Sequence, residues 1–397
     1  MTGRAPWALA LGGLLALAAA LGIGRFIYTP VLPLMMEGLG WSASEAGLVA
    51  TANFLGYLAG ALAAARTTVS VEARRTWLLG ALAASVATTA AMAADTTIVA
   101  HGALRFVGGI ASAYAIVMAS MLVLDRLAAA GRSGLSAVHF AGVGTGIAAA
   151  AIALEFAASS GAQWDEVWLL SAGVSLVFSI FAAMLLAPDM ATPSGAAVPA
   201  TGGDLRGLGP LILAYGLFGF GYVITSTFIV TMVRGDPSLA VLESSIWIVF
   251  GLAAVPSVWL WTWLGARLGI LATFAVACVA EAAGVAASVE WRTPEGLFFS
   301  AALLGGTFMG ITALGLVAAR QTPGPASQRA ISLMTASFGL GQMIGPALAG
   351  IIFDRLSSWR APTLLAAAAL FLAAVLAAGL ARRQRGAQSG TSTTMPS

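Results

Sequence analysis

The sequence predicts an all-α membrane protein with twelve transmembrane helices in two six-helix bundles, and three observations carry that prediction. Of 397 residues, 59% are hydrophobic and only 9% are charged, against about 25% charged in a soluble domain. Apolar stretches of the roughly 20 residues needed to cross a bilayer recur along almost the whole chain. Paired glycines also return at one constant spacing, as though a single bundle had been written twice.

The expected spans are 7–36, 44–65, 76–94, 97–124, 133–158, 166–187, 208–233, 242–264, 269–288, 296–320, 327–353 and 361–381. The first is too long for a signal-peptide core and is read as a retained helix. Residues 188–207 are rich in Pro, Gly, Ala and Thr and read as a cytoplasmic linker between an N-terminal bundle, 1–187, and a C-terminal bundle, 208–381. The polar stretch 382–397 reads as a disordered cytoplasmic tail. Ser42-x-x-Glu45 is a capping box that opens the second helix.

Cytoplasmic loops retain positive charge, so the arginines fix the orientation. With the N-terminus inside, Arg4, Arg66, Arg74, Arg75, Arg126, Arg132, Arg206, Arg267, Arg320, Arg329, Arg382, Arg383 and Arg385 are cytoplasmic. Only Arg234, Arg292, Arg355 and Arg360 lie outside, which puts both termini in the cytoplasm. The expected location is a bacterial inner membrane.

The repeat has an offset of 197 residues. Gly22 and Gly24 map to Gly219 and Gly221, Gly108 and Gly109 to Gly305 and Gly306, and Gly142 and Gly144 to Gly339 and Gly341. A parallel duplication of this kind places a solute site between the halves near mid-membrane, while the glycines themselves serve close helix packing.

This organisation resembles the major facilitator superfamily over the whole chain. The run Gly22-Ile-Gly24-Arg25-Phe26-Ile27-Tyr28-Thr29-Pro30, with Leu32-Pro33-Leu34-Met35, Ser44-Glu45-Ala46-Gly47 and Asn53-Phe54-Leu55-Gly56-Tyr57-Leu58-Ala59-Gly60, resembles its YbfB/YjiJ-type branch. Arg105-Phe-Val-Gly-Gly109 is similar to the superfamily's fourth-helix motif. Gly341-Gln-Met-Ile-Gly345-Pro346 is similar to its antiporter motif, but stands in helix eleven instead of five. The signature loop after helix two keeps Arg74 and Arg75 without the usual Asp. The resemblance implies alternating access in a monomeric carrier.

Charge at the bilayer centre costs about 2.5–3.5 kcal/mol on insertion scales and so marks function. Arg25 and Arg105 share a depth roughly 5–8 Å to the periplasmic side of centre, counting 1.5 Å per residue. Both are candidates for holding a carboxylate or phosphate. The competing reading makes Arg105 a ligand of backbone carbonyls and pairs Arg25 with Glu155. Under the repeat, Arg25 maps to Tyr222 and Arg105 to Ala302, so only the first half carries the charge.

Tyr215, Phe218, Tyr222 and Ser226 share a helical face in the second half, with Trp247, Phe250 and Phe338 nearby in the expected cavity, which suits an amphiphilic acid with an apolar body. Tyr28, Asn53, Tyr57 and Gln342 complete the substrate-binding candidates. Proton coupling needs a titratable group; His139 is the first candidate and Glu155 the second. Glu281, near the middle of the ninth helix, receives no role from the sequence.

The expected function is secondary transport of a small organic anion, with the bilayer as surroundings and neither cofactor, metal nor nucleic acid involved. The alternative is proton-coupled efflux of drugs or metabolites. A membrane sensor or intramembrane enzyme is a third reading. Phosphate-binding loops, zinc His pairs and nucleophile elbows do not occur in the sequence, so no enzymatic chemistry is expected.

Overall fold

A computed structural model describes residues 5–66, 69–94, 97–159, 161–186, 208–321 and 326–392. The expected linker, 188–207, lies wholly outside them. The helices are α1 (Pro6–Leu17), α2 (Tyr28–Leu39), α3 (Ala43–Arg66), α4 (Val71–Ala91), α5 (Ile98–Ala129), α6 (Ser136–Ser159) and α7 (Trp164–Leu185) in the first half. The second half holds α8 (Gly209–Arg234), α9 (Glu243–Ala254), α10 (Ser257–Leu268), α11 (Ile270–Glu290), α12 (Pro294–Arg320), α13 (Ala326–Leu356) and α14 (Arg360–Ser392).

Among the described residues, ten helical segments are long and apolar enough to cross a membrane, and α9 with α10, bent by 44°, makes an eleventh. The remaining expected span, 76–94, is occupied by α4, whose Glu72, Arg74, Arg75 and threonines keep its composition below that of the others. α14 continues to Ser392, beyond residue 381 where the sequence suggested a disordered tail. Arg382, Arg383, Gln384 and Arg385 are good helix formers and nothing there breaks the last turn.

The first span is not the plain rod expected. Residues Ala18–Ile23 form a π-helical turn, Gly24–Ile27 are a turn, and α2 follows. Pro30 has no N–H for the Phe26 carbonyl and Pro33 sits within α2, so a regular ladder cannot run through this stretch. Its counterpart α8 keeps the same glycines, but Thr227 and Val230 replace the prolines at the 197 offset, and α8 runs unbroken. Elsewhere the offset slips by one. A Cβ on Gly109 would strike the Asn53 carbonyl, and in the second half it is Gly305, not Gly306, that meets the equivalent Phe250 carbonyl.

The halves meet along α3 with α13 and α6 with α9. Glycine makes both approaches possible: a side chain on Gly47 would collide with Pro346, one on Gly350 with Ala43, and one on Gly144 with Gly251. Side-chain hydrogen bonds between the halves cluster toward the end predicted to be periplasmic. Asp354 accepts from the Ala43 and Ser44 amides at 3.1 and 2.9 Å, and Thr51 donates to the Met343 carbonyl at 2.9 Å. Thr29 donates to the Ser226 carbonyl at 2.7 Å, and Arg234 grips Glu37 at 2.7 and 2.8 Å and Glu243 at 3.0 Å.

At the opposite end Arg74 and Arg75 both find partners within the first half. Arg74 pairs with Asp125 of α5 at 3.2 Å, and Arg75 donates to the Leu186 and Ala183 carbonyls that end α7. The expected capping box is present, with Ser42 N–H to Glu45 at 2.9 Å and Glu45 N–H to the Ser42 hydroxyl at 3.2 Å.

Candidate functional site

The broken first span brings its irregular backbone to a small cavity of about 10 Å³, large enough for about one water. Arg25, Phe26, Tyr28, Thr29, Ala50, Phe54 and Arg105 line it from the first half, and Ser226 and Thr227 from the second. Irregular backbone is tolerated at membrane depth where protein or a cavity satisfies it.

The two arginines have different tasks. Arg105 donates from Nη1 to the Gly24 carbonyl at 2.9 Å and from Nη2 to the Arg25 carbonyl at 2.7 Å. It clamps the break in the first span, as the competing sequence reading held. Tyr28 lies under this guanidinium, 5.0 Å from the ring centre, and gives its hydroxyl to the Ala46 carbonyl at 2.8 Å. Asn53 steadies the same helix by donating to the Arg105 carbonyl at 2.8 Å.

Arg25 is only 6% exposed, and among the described residues it forms no ion pair. Its Nε and Nη2 lack hydrogen-bond partners. The guanidinium instead lies over Tyr57 at 4.3 Å, Phe54 at 4.9 Å and Phe26 at 5.5 Å, an aromatic cage of cation–π contacts. Glu155 is on an exposed face of α6, so the expected Arg25–Glu155 alternative is not formed.

The second half supplies an aromatic wall. Tyr222 stacks on Phe218 at 5.2 Å and on Phe308 and Phe338 at 5.9 Å. Phe308 meets Phe26 across the interface at 5.8 Å and Phe250 within its own half at 5.4 Å, and Phe250 stacks on Trp247 at 4.5 Å. Gln342 Nε2 donates to the Tyr222 hydroxyl. The site is thus a cation with unused N–H groups facing an apolar, ring-lined partner surface.

A family model described as the uncharacterised MFS-type transporter YbfB matches residues 17–378. The chain belongs to this branch of the major facilitator superfamily. No curated protein matches it in sequence. Among 286 matching solved chains, a crystal structure of a point mutant of the nucleoside transporter NupG has a TM-score of 0.70 at 17% identity, covering 93% of this chain and 99% of that one. A second NupG crystal structure has a TM-score of 0.69 at 16% identity, with 95% and 99% covered. At these identities the likeness shows the fold.

In this transporter the site gathers Arg25, Tyr28 and Arg105 directly, Tyr57 by stacking on Arg25, and Tyr222 with Gln342 in the adjoining wall. The first proton-coupling candidate is elsewhere. His139 is buried in the first half, where Nε2 meets the Ser120 hydroxyl at 3.2 Å and the ring packs on Phe140 and against Gly13; none of these residues lines the cavity. Sequence reasoning missed Thr29, Ser226 and Thr227 as a cross-interface group, although the first two stand 197 residues apart and carried the signal.

Proposed function

We propose that this major facilitator transporter moves a small organic anion across the bacterial inner membrane by alternating access. Arg25 is the main contact for the anionic group, and the aromatic wall around Tyr222 receives an apolar or planar body. One observation carries the reading: a buried guanidinium with two N–H groups unpaired and no ion pair among the described residues. A charge so placed costs several kcal/mol unless something compensates it, and an incoming carboxylate supplies that compensation with bidentate geometry. Arg105, with both Nη groups spent on carbonyls, supports the site.

The bonds between the halves favour a conformation closed toward the periplasm, and the small cavity then widens when α2 and α8 part. The protein works as a monomer of twelve spans, α4 included, with both termini in the cytoplasm. A nucleoside is the second reading, motivated by the likeness to NupG and by rings able to stack on a base. Efflux of apolar or cationic drugs is the third, motivated by the aromatic wall alone.

Thermal unfolding of the detergent-purified protein and of Arg25→Ala, with benzoate, citrate, uridine and tetraphenylphosphonium, separates the three. Benzoate or citrate is expected to stabilise the wild type, by about 2.7 kcal/mol at 100 times the dissociation constant, and to leave Arg25→Ala unmoved. Stabilisation by uridine alone, or by tetraphenylphosphonium alone, with Arg25→Ala responding normally, would transfer the function to the second or third reading.

A further inference from the structure

Helices α11 and α14 pack side by side in the second half, and the seam between them carries two adjoining openings. At the end predicted to be cytoplasmic, a cavity of about 370 Å³ lies between the α10–α11 junction and the C-terminal part of α14, with Gln321, Gln384 and Arg385 as its polar lining. Arg385 reaches the Leu268 carbonyl at 3.4 Å. Deeper along the same two helices runs a groove of about 430 Å³ lined wholly by apolar side chains. Ala275 and Ala280 of α11 and Ala374 and Ala378 of α14 leave the space, and the exposed Val276 and Phe371 wall it. Ala374, Ala378, Ala381 and Arg385 recur at helical spacing, so one stripe of α14 passes from groove to cavity. The 14 residue steps from Phe371 to Arg385 span roughly 21 Å at 1.5 Å per residue, about the depth of one leaflet with its headgroups, half of roughly 40–45 Å. The charge around the cavity has one sign. Arg267, Arg320, Arg382 and Arg383 stand on the elements that enclose it, and α10, α14 and the facing ends of α11 and α12 bring no acid. Arg267 lies 3.7 Å from the Trp263 ring, and Trp259 stacks on Trp263 at 6.3 Å. Both indoles are exposed, as suits rings at headgroup level.

We propose that this seam holds one anionic phospholipid, its phosphate in the cavity beside Arg385 and one acyl chain in the groove. The site is separate from the cavity at Arg25 and does not depend on which solute is carried. The cavity by itself fits any phosphate, and the groove by itself any hydrocarbon. A cation and a leaflet-deep apolar groove on one stripe of one helix pair call for a molecule that is anionic at one end and a chain at the other. Ile270, Leu271 and Ala272, the uncapped start of α11, line the same cavity, and the positive end of a helix favours a phosphate there. The side of the membrane agrees, because basic pockets between helices on the cytoplasmic side suit anionic headgroups. Bound there, the lipid joins α10, α11, α12 and α14 at one point and stabilises the folded second half by its binding.

Native mass spectrometry of the full chain in detergent, titrated with dioleoyl phosphatidylglycerol or dioleoyl phosphatidylethanolamine, reads both stoichiometry and headgroup preference. One phosphatidylglycerol is expected to bind more tightly than phosphatidylethanolamine. Arg385→Ala is expected to weaken it about fivefold, the worth of one Arg near an anionic surface, and Arg385→Lys to retain it. Ala378→Phe fills the groove and is expected to weaken both lipids, with Val276→Trp on the exposed wall as the second groove variant should the first unfold; unfolding temperatures check every variant. Inorganic phosphate, added as competitor, is expected to leave lipid binding unchanged because it cannot use the groove. Equal binding of the two lipids, or phosphatidylglycerol binding that neither Arg385→Ala nor the groove variants move, overturns the proposal and leaves ordinary boundary lipid. Displacement of the lipid by inorganic phosphate, with the groove variants behaving as wild type, overturns it in favour of a site for free phosphate.

Discussion

The first span of one half and its counterpart in the other were built from the same glycines and ended differently. In the first half the chain breaks at Gly24–Ile27 and Arg105 holds the exposed carbonyls. In the second half α8 is continuous, and alanine stands in place of Arg105 at either register, as Ala301 or Ala302. Break and clamp occur together: the turn at Gly24–Ile27 presents the Gly24 and Arg25 carbonyls to Arg105, and a guanidinium fork can satisfy two carbonyls at once. The comparison also separates chemistry. The half with the break presents a cation, and the half without it presents rings.

Removing the clamp is the strongest way to break this comparison. Arg105→Ala strands two buried carbonyls, at a cost on the order of 2–6 kcal/mol, and thermal unfolding in detergent should show a large fall in Tm. The same substitution made with Pro30→Thr and Pro33→Val, which give the first span the residues of α8, is expected to cost less. If the cost is unchanged, the prolines do not cause the break.

The joint between the halves comes next. Arg234 is partly exposed and its partner Glu37 largely so, so Arg234→Gln is expected to weaken closure at the end predicted to be periplasmic by about 1 kcal/mol. Labelling of Thr29→Cys by a membrane-impermeant maleimide added from the periplasmic side would rise accordingly. Unaltered labelling would mean that the α3–α13 contact, through Asp354, carries the closure by itself.

The smallest effect belongs to the loop between α8 and α9. The Ser238 hydroxyl, then the Ser238 amide and Arg292, hold the Asp236 carboxyl below the ordinary carboxylate value. Its contribution is complete above that ordinary value and is lost as pH falls through the lowered one. Asp236→Asn should therefore lower Tm by about 1 °C or less at neutral pH, with variant and wild type converging in acid. A difference that grows in acid would refute the assignment.

Much of this was legible in the sequence because membranes write hydropathy and charge into linear order. Most span positions, the capping box and the nearness of Arg25 to Arg105 follow from length, spacing and depth. What a linear sequence does not hold is direction around a helix axis. Depth placed Arg25 and Arg105 together, but only the packed helices give one the carbonyls and the other the cavity. For the same reason His139 stood out as titratable and proved to be enclosed with Ser120. The pairing of Arg74 with Asp125 likewise joins residues 51 positions apart, beyond any local motif.

Thr29 bonds to Ser226 and Glu37 to Arg234, each residue meeting its own counterpart 197 positions later. In a dimer of two identical bundles those positions would face copies of themselves across the two-fold axis. Threonine against threonine is compatible with that, but glutamate against glutamate or arginine against arginine repels. An ion pair at such a place is open only to a single polypeptide whose two copies of the repeat differ in sequence, and Glu37 with Arg234 is such a pair.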